Sequence, residues 1–390
     1  MRSAFAMVVL LLLVHSAAGQ DAARPRDDSA RSSSTPLAPK PRSVTLSNTR
    51  LPLDQRNRSL ITGEADILKH PSDGSLYFYF NNWGACAGVD CCGSAVGCRD
   101  CCFLPWNTTC VGLGNHSVVV YRTTDLATWE YLGEALPATA RPQPRHVEYR
   151  PHVVYNARTK LYVMWYNDFV PSPKVNFRYA VATSPVPEGP FAVMNTSVTT
   201  HAGVKLGDMD ILVDGAKAFL VHGDTNMAVE ELNAEFTGTT GRFAPFAVPP
   251  DKHRRGSEGP VMFKRQGVYY ILPGTGCCAC RGGSNIYVFT STSPLGPYTF
   301  RGDAGSNTTH AFDAHSPWNY PTRAQASALV HLGGDTFLWM GNQWTTSLAL
   351  GRPRNHDLLY WWPLQFEPDG MVSQVRYEES VQVKLPRLEL

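Results

Sequence analysis

The chain predicts an all-β fold, a five-bladed β-propeller, and three observations carry that expectation. Short apolar runs recur about every ten residues from Ile61 onward, separated by turn-forming residues. Aromatic residues make up 11% of the chain beside 32 Gly and 29 Pro, a balance that favours strands and tight turns over helices. A turn motif also repeats. Thr183-Ser184-Pro185 followed by Gly189-Pro190-Phe191 returns as Thr292-Ser293-Pro294 followed by Gly296-Pro297-Tyr298, and Thr124-Asp125-Leu126 with Trp129 is a shortened third copy. The offsets of 59 and 109 residues imply a unit of 55 to 60 residues with four short strands, so that residues 61–385 hold five blades.

Taken in order, the chain opens with Arg2, an apolar run Phe5 to Val14 and small residues ending Ala17-Ala18-Gly19, the layout of a cleaved secretory signal over residues 1–19. A retained signal-anchor is the rival reading. No later segment approaches the ~20 apolar residues that a membrane helix needs, so no membrane association is expected after cleavage. Residues 20–60 are rich in Ser, Pro, Arg and Asp with almost no periodic apolar positions, and a flexible leader is expected there. Five N-x-Ser/Thr sequons, at Asn57, Asn107, Asn115, Asn195 and Asn307, fit a secreted, extracellular glycoprotein.

The strands expected next are Leu76–Phe80, Ser117–Tyr121, His152–Tyr155, Leu161–Tyr166, Phe177–Ala182, Ile211–Val213, Ala218–Val221, Ile286–Thr290, Ala328–His331, Thr336–Met340 and Leu358–Trp362. Between them Val261-Met262-Phe263 and Val268 to Leu272, joined at Arg265-Gln266-Gly267, form a β-hairpin. The ten cysteines fall as seven (Cys86 to Cys110) and three (Cys277, Cys278, Cys280), both odd, so full pairing within the chain demands at least one disulfide between the two groups. Cys98-x2-Cys101 has the spacing of zinc ligands, but vicinal pairs in an oxidising compartment favour disulfides. Net charge is +2 with no basic stretch interleaved with aromatics, which excludes nucleic acid and points to a small, neutral partner.

A propeller brings the starts of its innermost strands to one axis. The polar groups at those starts are Glu64 or Asp66, Glu148-Tyr149-Arg150-Pro151, Gly207-Asp208-Met209-Asp210, Ser257-Glu258-Gly259-Pro260 and Gln325. Carboxylates gathered beside aromatic rings suit glycosidic bond cleavage, in which one acid protonates the leaving oxygen and a second group works on the opposite face of the sugar. Each residue also has a plainer reading: a solvated loop Glu for Glu64, a turn residue for Asp208, a strand-end hydrogen-bonding residue for Gln325.

The order Arg150-Pro151, Gly207-Asp208-Met209-Asp210-Ile211-Leu212-Val213-Asp214-Gly215, Glu258-Gly259-Pro260, Gln325-Ala326-Ser327-Ala328-Leu329-Val330 and Met340-Gly341-Asn342-Gln343-Trp344 resembles glycoside hydrolase family 43, and within it the exo-β-1,3-galactanase branch. The resemblance spans about Ile61 to Val383. It implies a five-bladed propeller that hydrolyses with inversion, with no cofactor needed for the chemistry, on an oligosaccharide or polysaccharide of β-linked galactose or a related pentose. It makes Glu258 the general acid and Asp208 the carboxylate that orients that acid and raises its pKa. In the wider family the base is an Asp in the slot held here by Glu64; in the galactanase branch a Gln matching Gln325 is thought to take that part. Both remain candidates, and a carboxylate is the better base at neutral pH. Galactanases carry a Glu directly before the Arg-Pro, where it contacts galactose. This chain has Tyr149 there, with Arg150 after it and Glu148 one residue earlier, on the other strand face unless a bulge intervenes. The cysteine-rich insert Gly84–Gly114 replaces a short loop of those relatives, and its tie to Cys277–Cys280 would wall one side of the cleft. Trp83, Trp106 and Trp344 are candidates for stacking on sugar rings. A monomer is expected, and the rival to an enzyme is a carbohydrate-binding propeller that has lost turnover.

Overall fold

The computed structural model describes residues 42–82, 116–140, 147–170, 176–249, 257–274, 283–305, 322–344, 346–349 and 355–385. The fold is the expected five-bladed β-propeller. Blade one is β2 (Ala65–Lys69), β3 (Leu76–Asn82), β4 (Ser117–Thr123) and β5 (Glu130–Leu136). Blade two is β6 (Val147–Asn156), β7 (Leu161–Val170), β8 (Asn176–Ser184) and β9 (Ala192–Asn195). Blade three is β10 (Asp208–Asp214), β11 (Lys217–Asp224), β12 (Asn226–Leu232) and β13 (Thr239–Phe246). Blade four is β14 (Met262–Arg265), β15 (Val268–Ile271), β16 (Tyr287–Ser291) and β17 (Thr299–Asp303). Blade five contributes β18 (Gln325–Gly333), β19 (Thr336–Gln343) and β20 (Leu358–Pro363), and all pairings within blades are antiparallel.

The apolar runs are continuous rather than alternating because each blade is packed on both faces. Successive residues on a strand point to opposite faces, so Tyr79 joins Met164 between blades one and two, while its neighbour Phe78 packs toward Trp361 of blade five. Trp165 and Leu220 share the next seam, and Val221 and Ile271 the one after. The repeated turn motifs occupy equivalent places, between the third and fourth strands of blades one, two and four. Their offsets of 59 and 109 residues are thus one blade and two. The hairpin of blade four turns at Gln266 and Gly267, both with positive φ, 49° and 82°, as a two-residue connection matched to strand twist requires.

The leader expected to be flexible as far as residue 60 is corrected from Arg42 onward. Strand β1 (Arg42–Ser47) pairs along its whole length with β21 (Ser380–Leu385), from Arg42 with Leu385 to Ser47 with Ser380. Val44 and Leu46 alternate with polar residues and turn to the core, as do Val381, Val383 and Leu385 from the partner. Buried Asn48 then joins this pair to β20: its Oδ1 accepts the Trp361 N–H at 2.7 Å and its Nδ2 donates to the Trp361 and Glu378 carbonyls at 3.3 and 3.0 Å. The signal segment, all ten cysteines, Trp83 and Trp106 lie outside the described residues, as do the readings made of them.

Candidate active site

Around the axis β2 lies between β18 and β6, and β10 between β6 and β14. Asp208 is the first residue of β10 and Gln325 the first of β18. Glu64 stands just before β2, and Glu258 in the segment leading to β14. Arg150 comes from β6, where the pairing jumps from Tyr149 opposite Asn167 to His152 opposite Trp165. That leaves one extra residue, a β-bulge at Arg150-Pro151 with Arg150 at φ 51°, and it re-aims the guanidinium onto the axis.

Asp208 is the hub. Its Oδ2 accepts the Gly259 N–H at 2.9 Å and the Gln325 Nε2–H at 3.3 Å, and its Oδ1 faces Arg150 Nε at 3.4 Å. The same Gln325 nitrogen donates to Glu258 Oε2 at 3.3 Å, while Gln325 Oε1 accepts the indole N–H of Trp344 at 2.9 Å. Arg150 Nε also lies 3.8 Å from Glu64 Oε1, and its Nη2 donates to the Ala326 carbonyl at 2.5 Å. Glu258 is held by two backbone bonds with Gly274, each 2.8 Å, and Gly259 adopts φ 60° directly against the cluster. A Cβ on Gly259 would come 3.1 Å from the Ala326 carbonyl oxygen, 3.3 Å from Gln325 Cγ and 3.4 Å from Arg150 Nη2, so a side chain there is strained by the turn and crowds the cluster.

Electrostatics tie these groups together. Burial alone would lower the pKa of Arg150, yet it is raised, because the charges of Asp208, Glu64 and Glu258 surround it. Tyr149 is pushed well above an ordinary tyrosine by burial, and further by Asp208, Glu64 and Glu258, so its hydroxyl is a neutral donor here. Asn167 Nδ2 supports it at 3.2 Å and also donates to the Gly207 carbonyl at 2.8 Å, next to Asp208. Tyr149 thus stands beside the carboxylates, whereas Glu148 is buried against His116, 3.8 Å from its Nε2. The bulge follows Tyr149 rather than preceding it, so Glu148 does not take over the slot. Trp344 is only 1% exposed, which corrects the stacking role expected of it: a ring covered on both faces offers nothing to a sugar.

Two residues further along the same three strands lies a second polar layer that the sequence reading missed as a unit. Asp66, His152 and Asp210 are all buried, with His152 Nδ1 at 3.1 Å from Asp210 Oδ1 and 3.6 Å from Asp66 Oδ1. The other carboxylate oxygens accept the backbone N–H groups of Val153 and Met262 at 2.7 and 2.6 Å. Burial opposes the charged imidazole, but the facing carboxylates of Asp210 and Asp66 outweigh it and raise its pKa to about 9. Among the described residues this trio is the group close enough to hold a metal ion; a protonated His152 already supplies a positive charge between the acids. The spacing Glu64/Asp66 and Asp208/Asp210 was the available signal for the two carboxylates, since residues two apart share a strand face; the bulge at Arg150-Pro151 removes that spacing for His152. Asp66 and Asp210 also reach a cavity of ≈ 770 Å³ that continues past Val154, Ile211 and Phe337.

A propeller whose axis gathers carboxylates around a buried guanidinium has the architecture of a sugar-cleaving hydrolase. The profile of glycosyl hydrolases family 43 matches residues 108–347, and the chain belongs to that family and is a glycosidase. Solved structures share the fold, among them the following three. An exo-β-1,3-galactanase from Clostridium thermocellum is 22% identical with a TM-score of 0.67, over 87% of this chain and 67% of that one. The exo-β-1,3-galactanase from Phanerochaete chrysosporium, with galactose, is 20% identical with a TM-score of 0.65, over 88% and 69%. A family 43 β-1,3-galactosidase with galactodeoxynojirimycin is 18% identical with a TM-score of 0.63, over 86% and 99%. No curated protein matches the chain in sequence.

Proposed function

We propose that this glycosidase is secreted and removes β-linked galactose, or a pentose of related shape, from the ends of arabinogalactan-type chains with inversion of configuration. The observation that carries the reading is the bridge of Glu258 and Asp208 through one amide nitrogen, 3.3 Å from each, at the mouth of the innermost strands. Glu258, partly exposed where its neighbours are buried, is the acid that protonates the departing oxygen. Asp208 orients it. Water on the opposite face is activated by Glu64 rather than Gln325, because a carboxylate is the stronger base and Gln325 already spends both ends of its amide on Trp344 and the two acids. Arg150 balances the charges of Glu64 and Asp208 as the substrate displaces water. Tyr149, in place of a carboxylate, offers a hydroxyl to the bound sugar. The solved relatives act on β-1,3-linked galactose, and that likeness supports the choice of sugar.

The test is sugar release from β-1,3-galactan, arabinogalactan, arabinan, xylan and aryl glycosides, with the anomer of the first-formed product read by NMR. Galactose released as the α-anomer from β-1,3-galactan is the expected result, with Glu258→Gln reducing turnover by about 10²-fold or more. Binding without release would return the chain to the class of carbohydrate-binding propellers, and full activity in Glu258→Gln would remove Glu258 from the chemistry.

A further inference from the structure

Trp344 is a large aromatic residue near a sugar site whose ring is nonetheless wholly buried, so its indole nitrogen is the part left to explain. That nitrogen donates to Gln325 Oε1 at 2.9 Å. The bond decides which way the Gln325 amide faces: with Oε1 turned to the indole, Nε2 is turned to Asp208 Oδ2 and Glu258 Oε2, 3.3 Å from each. Turning the amide over would set two N–H donors against each other and an amide oxygen against two carboxylates, so three contacts agree on one orientation. An amide nitrogen has two hydrogens, and here each has a carboxylate.

We propose that Trp344, acting through Gln325, positions the carboxyl of Glu258, so that Gln325 belongs to the acid side of the site and is not the group that activates water. This rests on the assignment of Glu258 as the acid. Three features support it. The two residues come from the same blade, Gln325 at the start of β18 and Trp344 just past the end of β19, where Gln325 pairs with Asn342. Close packing of β19 on β18 prevents the pair from drifting apart: a Cβ on Gly341 would meet the Gln325 carbonyl at 2.7 Å. Inverting chemistry also needs the acid and base ~6.5–9.5 Å apart with room for water between, and a nitrogen in direct hydrogen-bond contact with the acid is on the wrong side of that gap.

Leaving-group dependence separates a residue that serves the acid from one that serves the base. A glycoside with a dinitrophenol leaving group needs little protonation, so a defect in the acid shrinks on it, while a defect in the base does not. Trp344→Phe and Gln325→Ala are expected to lower kcat by about 10²-fold on β-1,3-galactooligosaccharide with KM nearly unchanged, and by far less on dinitrophenyl β-galactoside, as for Glu258→Ala. The double variant should be no worse than Gln325→Ala alone. Equal losses on both substrates, or losses that multiply, would overturn the proposal. An arm independent of turnover uses indole-¹⁵N labelling, in which the Trp344 signal among the nine tryptophans is the one missing from Trp344→Phe. Its proton shift should follow the ionisation of Glu258 and cease to do so in Gln325→Ala and Glu258→Gln. An indole signal indifferent to pH sinks the relay; a signal that titrates in a protein that releases no sugar upholds the hydrogen-bond chain and refutes the assigned reaction instead.

Discussion

Raising the pH from 6.5 to beyond 9 should loosen the propeller at its axis, and His152 is the group responsible. Its imidazole faces Asp66 from blade one and Asp210 from blade three, with Arg150 two residues back on its own strand. The folded pKa of about 9 lies above the ordinary 6.5 because the attraction of the two acids outweighs burial. The sign follows from proton uptake: the folded state holds the proton more tightly, so the stabilisation is complete below pH 6.5 and is lost as pH rises through about 9. At about 1.4 kcal/mol per pH unit, the rise from 6.5 to about 9 corresponds to a loss of roughly 3.5 kcal/mol across that window. Urea unfolding of the wild type and of His152→Gln at pH 6.5, 8 and 9.5 would measure it. The variant is less stable throughout, since two buried carboxylates lose their counter-charge, a penalty of about 3–5 kcal/mol, but its stability should lack the wild-type slope. If His152→Gln unfolds outright, Asp66→Asn tests the same point by shifting the slope to lower pH. Parallel slopes in variant and wild type would refute the reasoning. So would a Tm that falls on adding a chelator, which would place a metal cation rather than a proton between the acids.

Three further outcomes follow from the same geometry. Asn48→Ala, or removal of residues 1–48, strips the bonds joining β1 to Trp361 and Glu378 and should cost about 3 kcal/mol for the point variant, read as a lower urea midpoint; an unchanged midpoint would mean that β1 is incidental to the fold. Gly259→Ala forces a side chain into φ 60° against Gln325 and Arg150; stability should fall by about 1 kcal/mol while kcat falls by about tenfold or more, and equal effects on both would deny the glycine its place in the site. Glu230 is buried and its pKa is lowered, because His222 and the backbone N–H groups of Ala202 and His201 outweigh its burial. Its stabilisation holds above pH 4.5 and fades as pH falls through the lower folded value, so Glu230→Gln should flatten the acid limb of a Tm profile that stays steep in the wild type.

Most of the strands were legible because the interblade seams demand apolar residues on both faces, and that demand writes itself into the chain as unbroken runs such as Leu76 to Phe80. The blade count was legible because the turn after the third strand recurs. What stayed hidden was long-range. Nothing local distinguishes Ser43-Val44-Thr45-Leu46 from a polar leader with two stray apolar residues; its partner strand begins at Ser380, and only that pairing makes the alternation meaningful. At the site, Glu258, Asp208, Gln325 and Glu64 could be placed on one axis from their positions before innermost strands. The fate of Trp344 could not, since an aromatic side chain near a sugar site reads the same in sequence whether its face or its N–H does the work. His152 was masked by the bulge at Arg150-Pro151, which breaks the register just where the period-two spacing would have exposed it.

The two axial layers are variations on one plan, and their difference has a physical reason. Each takes a cation from blade two and sets it between carboxylates from blades one and three: Arg150 between Glu64 and Asp208, then His152 between Asp66 and Asp210. With Glu258 as the acid, the first layer sits beside a carboxyl that gains and loses a proton in every turnover. A titratable cation there would trade protons with the acid and blur both pKa values. Arginine does not deprotonate in proteins, so it holds Asp208 and Glu64 in place whatever the state of Glu258. The second layer touches no reacting group, and there an imidazole suffices. On this argument Arg150→His, though it repeats the solution found one layer below, should be the more damaging exchange for activity near neutral pH. Its kcat profile should acquire an extra ionisation absent from the wild type, and a variant profile of wild-type shape would show that permanence of charge is not what the upper layer requires.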